Sequence, residues 1–212
     1  MDELLEFCAR MLGEREAGAR VAQSASSQPG EDRLLALGRA VAACRQAGPG
    51  HQPAAGAGPQ ETADLAGAVA AELAAATARL PQRQREALAL RELLRCTHRE
   101  VAAVIGIGPM AVAPLLARAR LRLRSELRGT APASGDCPER DRALRTIALR
   151  QDGEPVPAAD DDWLLEHLGH CTACGQAHSA MLEASVCYRA WRIPAGAGSS
   201  TGPAAAVGAH SP

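Results

Sequence analysis

The stretch that decides the expected fold is Cys96–Arg124, CTHREVAAVIGIGPMAVAPLLARARLRLR. Thr97 and Glu100 have the T-x-x-E spacing of a capping box, which predicts that a helix begins there. Gly106 suits the left-handed turn that ends this helix, and Pro109 suits the first position of the next one. A short helix, a glycine turn and a longer helix are typical of a helix-turn-helix, which lays its second helix in the major groove of DNA. A plain helical bundle is the alternative.

The longer helix, expected to run to about Arg128, contains a proline and a strip of arginines. Pro114 would remove the hydrogen bond from its backbone nitrogen to Met110, so we expect a kink there. The arginines fall into two pairs, each spaced one helical turn: Arg118 with Arg122 and Arg120 with Arg124.

The charge of the chain is uneven. The net charge of the 212 residues is −1, and all 23 basic residues are arginine. Residues 81–128 alone contain ten arginines and four glutamates, a net charge of +6. Such a local basic block is typical of a nucleic-acid footprint, although a solvated helix face is the alternative.

Composition and apolar spacing divide the chain into three helical segments, and no strand pattern is present. We therefore predict an all-α fold. Gly/Pro-rich stretches predict two linkers and a disordered tail. The predicted units are helices in 1–45, a linker in 46–60, a four-helix domain in 61–128, a linker in 129–136, a small helical module in 137–192 and a tail in 193–212.

The third segment contains a cluster of metal-binding residue types, EHLGHCTAC. On one helix His167 and Cys171 would lie a turn apart, with Cys174 three residues further on. A tetrahedral zinc ion needs four such nitrogen and sulfur ligands. We assign the fourth to Cys137, with His170 and His178 as the alternatives. A free dithiol or simply buried thiols are the competing interpretation.

The sequence also predicts where the protein works and what it does not do. The acidic, amphipathic N-terminus is not a signal peptide, and no apolar run is long enough to span a bilayer, so we expect a cytoplasmic protein without membrane contact. Seven cysteines in that compartment favour thiols or metal ligands over disulfides. No set of nucleophile, base and orienting group is visible, so an enzyme is not predicted.

Residues 80–127 resemble region 4 of bacterial sigma factors, specifically the extracytoplasmic-function branch of the sigma-70 family. The resemblance implies a domain that binds the −35 promoter element and RNA polymerase. It rests on Leu80-Pro81, Arg85-Glu86, Leu90, Thr97–Ala103, Gly106-Ile107, Val112, Ala117–Arg120 and Leu123.

This sequence departs from the family after Val112. Ala113, Pro114 and Leu115 stand where the family commonly has lysine, serine and arginine that face DNA, and they offer no bidentate contact to base edges. The arginines that remain can contact phosphates, which positions a protein on DNA with weak sequence choice. The predicted DNA-contacting residues are Arg99, Pro109, Met110, Ala113, Pro114, Arg118, Arg120, Arg122 and Arg124.

Two further resemblances cover the rest of the chain. Residues 3–46 resemble a reduced sigma region 2, although no aromatic residue lies between Phe7 and Trp163 to stack on melted promoter bases. The H-x3-C-x2-C spacing, with an upstream Cys137, resembles the zinc-binding domain of anti-sigma factors. That likeness implies one Zn²⁺, either structural or redox-sensitive, and we expect Trp163, Tyr188 and Trp191 to pack around the zinc module.

Together these patterns predict a sigma-factor-like transcription protein. It would bind RNA polymerase core and upstream promoter DNA, and its fused zinc module would serve regulation and could fold back on the sigma-like part. The alternative is an anti-sigma-like interaction protein that does not read DNA and instead binds RNA polymerase or a sigma factor. DNA binding across salt concentrations discriminates the two, because phosphate contacts give a steep salt dependence.

Overall fold

The computed structural model describes residues 2–25, 32–48, 64–130 and 136–192, and all regular structure in them is helical. The predicted all-α fold is therefore confirmed. The predicted tail and most of both predicted linkers lie outside the described residues. The helices are α1 (Asp2–Leu12), α2 (Arg15–Ser24), α3 (Arg33–Ala47), α4 (Asp64–Ala78), α5 (Gln82–Glu92), α6 (His98–Ile105), α7 (Val112–Arg128), α8 (Arg140–Gln151), α9 (Ala158–His170) and α10 (Thr172–Ala190), with a 3₁₀ turn at Pro109–Ala111 before α7.

The first segment forms three helices, of which α1 and α2 make a close hairpin. Gly18 of α2 lies so near α1 that a Cβ atom there would be 2.5 Å from the Cα of Ala9. Gly18 thus permits a helix contact that any larger residue would push apart. Asp32 caps α3 by accepting a hydrogen bond from the backbone nitrogen of Leu34 at 2.9 Å.

The helix-turn-helix forms as its sequence signals predict. Thr97 and Glu100 make both hydrogen bonds of a capping box at the start of α6. Gly106 ends α6 in the left-handed conformation, with φ 72° and ψ 49°. The 3₁₀ turn that follows begins at Pro109, after Gly108 as its N-cap.

Pro114 lies in the first turn of α7 and not in its interior, so the reason for expecting a kink there does not hold. The α-helix begins only at Val112, so Pro114 occupies its third position. Backbone N–H groups in the first turn of a helix have no intrahelical acceptor, so a proline there removes no hydrogen bond of the helix.

One apolar core joins the first two segments. It contains buried residues of α1 and α3, the inner faces of α4 to α7, and the last turns of α10. Phe7, Leu90, Leu116 and Leu123 are fully buried in it. The ion pair between Arg45 of α3 and Glu86 of α5, at 2.6 Å, ties the same segments together.

The end of α10 is bound by the first segment. Arg10 donates hydrogen bonds to the carbonyl oxygens of Tyr188, at 2.6 Å, and Trp191. Its guanidinium also lies over both aromatic rings, 5.2 and 4.9 Å from their centroids. Tyr188 and Trp191, expected to pack around the zinc module, instead pack into the core shared with α1.

A second apolar core lies between α7 and the third segment. One face of α7, formed by Ala113, Ala117 and Leu121, is buried in it together with residues of α8, α9 and α10. Helices α8 and α10 pack directly on α7. The third segment therefore covers part of the longer helix of the helix-turn-helix.

No single helix in the described ranges is both long and apolar enough to cross a bilayer, although a pair bent by 105°, His98–Ile105 with Pro109–Arg128, meets the length and composition criteria.

Candidate metal centre and nucleic-acid surface

Four side chains of the third segment converge on one point. Cys137 precedes α8, His167 lies in the last turn of α9, Cys171 joins α9 to α10, and Cys174 lies in the first turn of α10. Their ligand atoms all lie within 4.8 Å of one another. Cys137 Sγ and His167 Nε2 lie 3.5 Å apart.

The backbone breaks at Cys171, which corrects the expectation of a single helix through His167 and Cys174. Cys171 is extended, with φ −104° and ψ 96°, and it serves as both the last cap of α9 and the first cap of α10. Its N–H donates to the carbonyl of His167, and its own carbonyl accepts from Gly175. The break turns the chain so that ligands from two helices face one centre.

The cluster is partly shielded from solvent. Cys174 is fully buried, whereas the other three residues are half-buried. Burial, together with the neighbouring thiols of Cys171 and Cys137, raises the pKa of the Cys174 thiol to about 12. The pKa of Cys171 is lowered, chiefly by a hydrogen bond from the Cys174 backbone. Since a metal binds thiolates, its affinity here would depend on pH.

The donor set fits a closed zinc site. Tetrahedral zinc with Zn–S bonds of about 2.3 Å and Zn–N bonds of about 2.0 Å places its ligand atoms roughly 3.5–4 Å apart. The four atoms approach that spacing, and three sulfurs with one nitrogen are a common structural zinc set. His170 is not part of the cluster: it is exposed, and its Nδ1 lies 2.9 Å from the carbonyl of Glu166.

A short stack of side chains supports His167. Its ring stacks on Trp163, with centroids 4.8 Å apart and planes 20° apart. The guanidinium of Arg142 lies 3.9 Å from the Trp163 centroid and pairs with Asp160 at 2.6 Å. Such outer contacts fix the orientation of a ligand ring. The expected Trp163 packing is therefore present, and the i, i+4 spacing of Trp163 and His167 was the sequence signal for it; Arg142 and Asp160 had none.

The predicted DNA-contacting residues fall into two groups. Five are exposed: Arg99, Pro109, Met110, Arg118 and Arg122. Of these, Arg99 and Arg118 make no ion pair with any described residue, and Arg122 makes a loose one, 3.7 Å from Glu126. These side chains remain free to meet phosphates. Pro114 is half-buried.

The other group is covered by the third segment. Ala113 is only 3% exposed and lies in the second core, and Arg120 is 1% exposed. Arg124 is half-buried, 3.1 Å from Glu183 of α10. In this arrangement Ala113 and Arg120 cannot touch DNA, which corrects the prediction for both. The regular spacing of the α7 arginines did not indicate that Arg118 and Arg122 are exposed whereas Arg120 and Arg124 are covered.

Arg120 is the centre of a buried charge network. Its guanidinium pairs with Glu92 of α5 at 2.7 Å and with Asp152, just after α8, at 2.5 Å. Burial alone would lower the pKa of Arg120, but these two carboxylates raise it above its ordinary value. Asp152 also meets His98 at 2.8 Å and Arg91 at 3.1 Å. The network ties the helix-turn-helix to the third segment through hydrogen-bonded charges.

The pKa of Asp152 reflects the same contacts. Burial by itself would raise it, but hydrogen bonds from His98 and Arg120, and the charges of Arg120 and Arg91, hold it at about 2. Asp152 therefore stays ionised, and the network stays intact, over the physiological pH range.

Fold and site together define a helix-turn-helix protein that carries a second, Cys₃His-containing module. Residues 70–123 match the family model described as Sigma-70, region 4. The match covers about a quarter of the chain and runs from α4 into α7. No curated protein and no solved structure matches the chain.

The family match supports a sigma-70-type, DNA-binding role in transcription for this segment. It agrees with the likeness that the residues of α5 to α7 carry. The likenesses of residues 1–45 to region 2 and of 137–192 to anti-sigma factors stay predictions.

Proposed function

We propose that this protein is a sigma-factor-like transcription protein whose helix-turn-helix is masked by its own zinc-binding module. One observation carries the proposal: the face of α7 that bears Ala113, Ala117 and Leu121 is buried against the third segment. DNA and RNA polymerase core would be contacted after that module is released.

Packing of the third segment on α7 accounts for the absence of base-reading side chains from that helix. The second helix of a helix-turn-helix reads base edges with residues near its N-terminus. Ala113 and Ala117 lie in that half and are 3% and 1% exposed. Small apolar side chains allow close helix packing but offer no hydrogen bonds to bases. These positions therefore suit an intramolecular interface better than base reading, and sequence choice would be weak.

A metal in the Cys₃His cluster would control the mask. Cys137 lies just before α8, and Cys171 and Cys174 lie at the start of α10. These are the two helices that pack on α7. Bound zinc would supply structural cross-links between them, so its loss, or oxidation of the thiolates, would loosen the cover over α7.

Once the third segment is released from α7, the exposed arginines would contact DNA or RNA polymerase. Arg99, Arg118 and Arg122 point away from the core and can meet phosphates or acidic residues of RNA polymerase. Arg124 and Arg128 would join them, because their partner Glu183 belongs to α10. Opening thus exposes added positive charge as well as the covered face.

A second candidate is a regulator that stays closed and binds RNA polymerase or a sigma factor without reading DNA. The buried network around Arg120 favours it, because opening would separate Arg120 from Asp152. Such a protein would use the exposed surface alone.

The experiment compares two alanine-to-glutamate variants of the full chain. Ala148 of α8 is fully buried in the second core, so Ala148→Glu pushes the third segment away from α7 without changing the helix-turn-helix. Ala159 of α9 is exposed, and Ala159→Glu makes the same charge change without that effect. Promoter-duplex binding is measured by fluorescence anisotropy over a salt series, and zinc content shows whether the metal cluster is still formed.

We expect Ala148→Glu to bind DNA more tightly than the wild type by about tenfold or more, equivalent to about 1.4 kcal/mol. Added negative charge cannot cause such a gain by itself. Ala159→Glu should bind as the wild type does. If Ala148→Glu opens the module and DNA binding does not rise, the masking proposal fails and the closed regulator is favoured.

A further inference from the structure

We propose that a cavity where the three segments meet binds a small organic phosphate. The cavity has a volume of about 370 Å³ and lies between the start of α1, the loop after α5 and the end of α10. Volumes of that size are ordinary for small-molecule sites. It is separate from the Cys₃His cluster and from α7, so the proposal does not depend on the masking mechanism.

The cavity wall is strongly basic. Five arginines and two glutamates line it, a net charge of +3. Some of this charge is compensated: Arg10 pairs with Glu6 at 2.9 Å, and Arg189 pairs with Glu92, which lies outside the cavity, at 3.2 Å. Glu3 is the one lining carboxylate without an ion pair among the described residues, and it disfavours anions at its own edge of the cavity.

Three lining arginines have no acidic partner in the described part of the chain: Arg15, Arg95 and Arg192. Arg192 donates only to the carbonyl oxygens of Arg189 and Trp191. The side chains of Arg15 and Arg95 make no hydrogen bond to a described residue. Three arginines from separate elements therefore line one cavity without an acidic partner, and guanidinium groups are the side chains that bind phosphate oxygens in a bidentate manner.

Arg95 occupies an unusual backbone position. Its φ is 53°, and it is the one residue other than glycine with positive φ in the described ranges. Glycine is the ordinary residue for such a position after a helix, because it lacks the Cβ that causes strain. Strained positions of this kind are concentrated at functional sites. An arginine here places its guanidinium at the cavity despite that strain.

The cavity also has an apolar part, which indicates an organic ligand over a bare ion. Leu5 and Leu93 line it beside the arginines. A molecule with a ring or short chain on one side and a phosphate or diphosphate on the other would match both parts. A concave site of this volume lined by three elements suits such a small molecule better than the rigid backbone of duplex DNA.

Titration calorimetry on the full chain tests the site with two probes, ADP and inorganic pyrophosphate, at about 150 mM ionic strength. We expect at least one probe to bind with a Kd below about 1 mM. Arg95→Gly should weaken that binding about tenfold or more, and Arg15→Gln should act in the same direction. Arg20→Gln is the matched control, because Arg20 is exposed on α2 and does not line the cavity.

Arg95→Gly separates a binding role from a structural one. Glycine relieves the strain at φ 53°, so the thermal unfolding midpoint without ligand should stay the same or rise while affinity falls. Three results would overturn the proposal. They are no binding of either probe up to about 10 mM, equal weakening by Arg20→Gln, or binding of duplex DNA through these arginines when neither probe binds.

Discussion

Arg120→Met is the substitution whose outcome depends most on the tertiary structure. Arg120 donates to Glu92 and Asp152 with four hydrogen bonds of 2.5 to 3.2 Å. Both carboxylate side chains are only 3% exposed. Methionine keeps the apolar length of the arginine stem but removes the cation between two buried anions.

The loss of unfolding free energy depends on the partners that Glu92 and Asp152 keep after the substitution. Removing one partner of a buried ion pair costs about 3–5 kcal/mol of unfolding free energy. Glu92 would keep the Ser185 hydroxyl at 2.7 Å and Arg189 at 3.2 Å, and Asp152 would keep His98 and Arg91. We therefore expect the lower end, about 3 kcal/mol, which is a large share of the 5–15 kcal/mol typical of a folded domain.

The assay is urea unfolding followed by circular dichroism, with Arg118→Met as the matched control. Arg118 lies on the same helix, is exposed and makes no ion pair with a described residue, so its replacement should change stability by less than about 0.5 kcal/mol. If Arg120→Met costs less than about 1 kcal/mol, or no more than Arg118→Met, the buried network does not stabilise the closed arrangement as argued here.

Four further outcomes are expected. Cys171→Ser should abolish stoichiometric zinc binding, measured by atomic absorption, whereas Cys187→Ser, outside the cluster, should retain it. The pKa of Asp152 in the folded protein, about 2, is below its ordinary value, so its ionised form adds about 2 kcal/mol to the unfolding free energy above about pH 4. That stabilisation is lost as the pH falls to about 2, and Asp152→Asn should flatten this part of a plot of unfolding free energy against pH. Gly18→Ala should lower the unfolding free energy by about 1–3 kcal/mol in urea titrations, since its Cβ would overlap α1, and an unchanged midpoint would contradict the packing. Pro114→Ala should leave helicity and stability within about 0.5 kcal/mol, as measured by circular dichroism, because the proline lies in the first turn of α7.

Local signals along the chain predicted the helix-turn-helix well. The capping box at Thr97, the left-handed Gly106 and the turn at Pro109 each act within a few residues, so sequence spacing was sufficient to place them. The four candidate zinc ligands were also found by spacing and residue type. The break at Cys171 itself was not predicted, although Gly169 lies two residues before it.

Local sequence patterns indicate an all-helical chain, a helix-turn-helix whose residues 70–123 match the sigma-70 region 4 model, and a Cys₃His set. The tertiary structure decided which of those elements face one another. Arg118 and Arg120 have the same chemistry and lie two residues apart, yet Arg118 faces solvent and Arg120 is enclosed by Glu92 and Asp152. The physical reason is that burial of a charged residue depends on partners distant in sequence, and Asp152 lies 32 residues away, in the loop after α8.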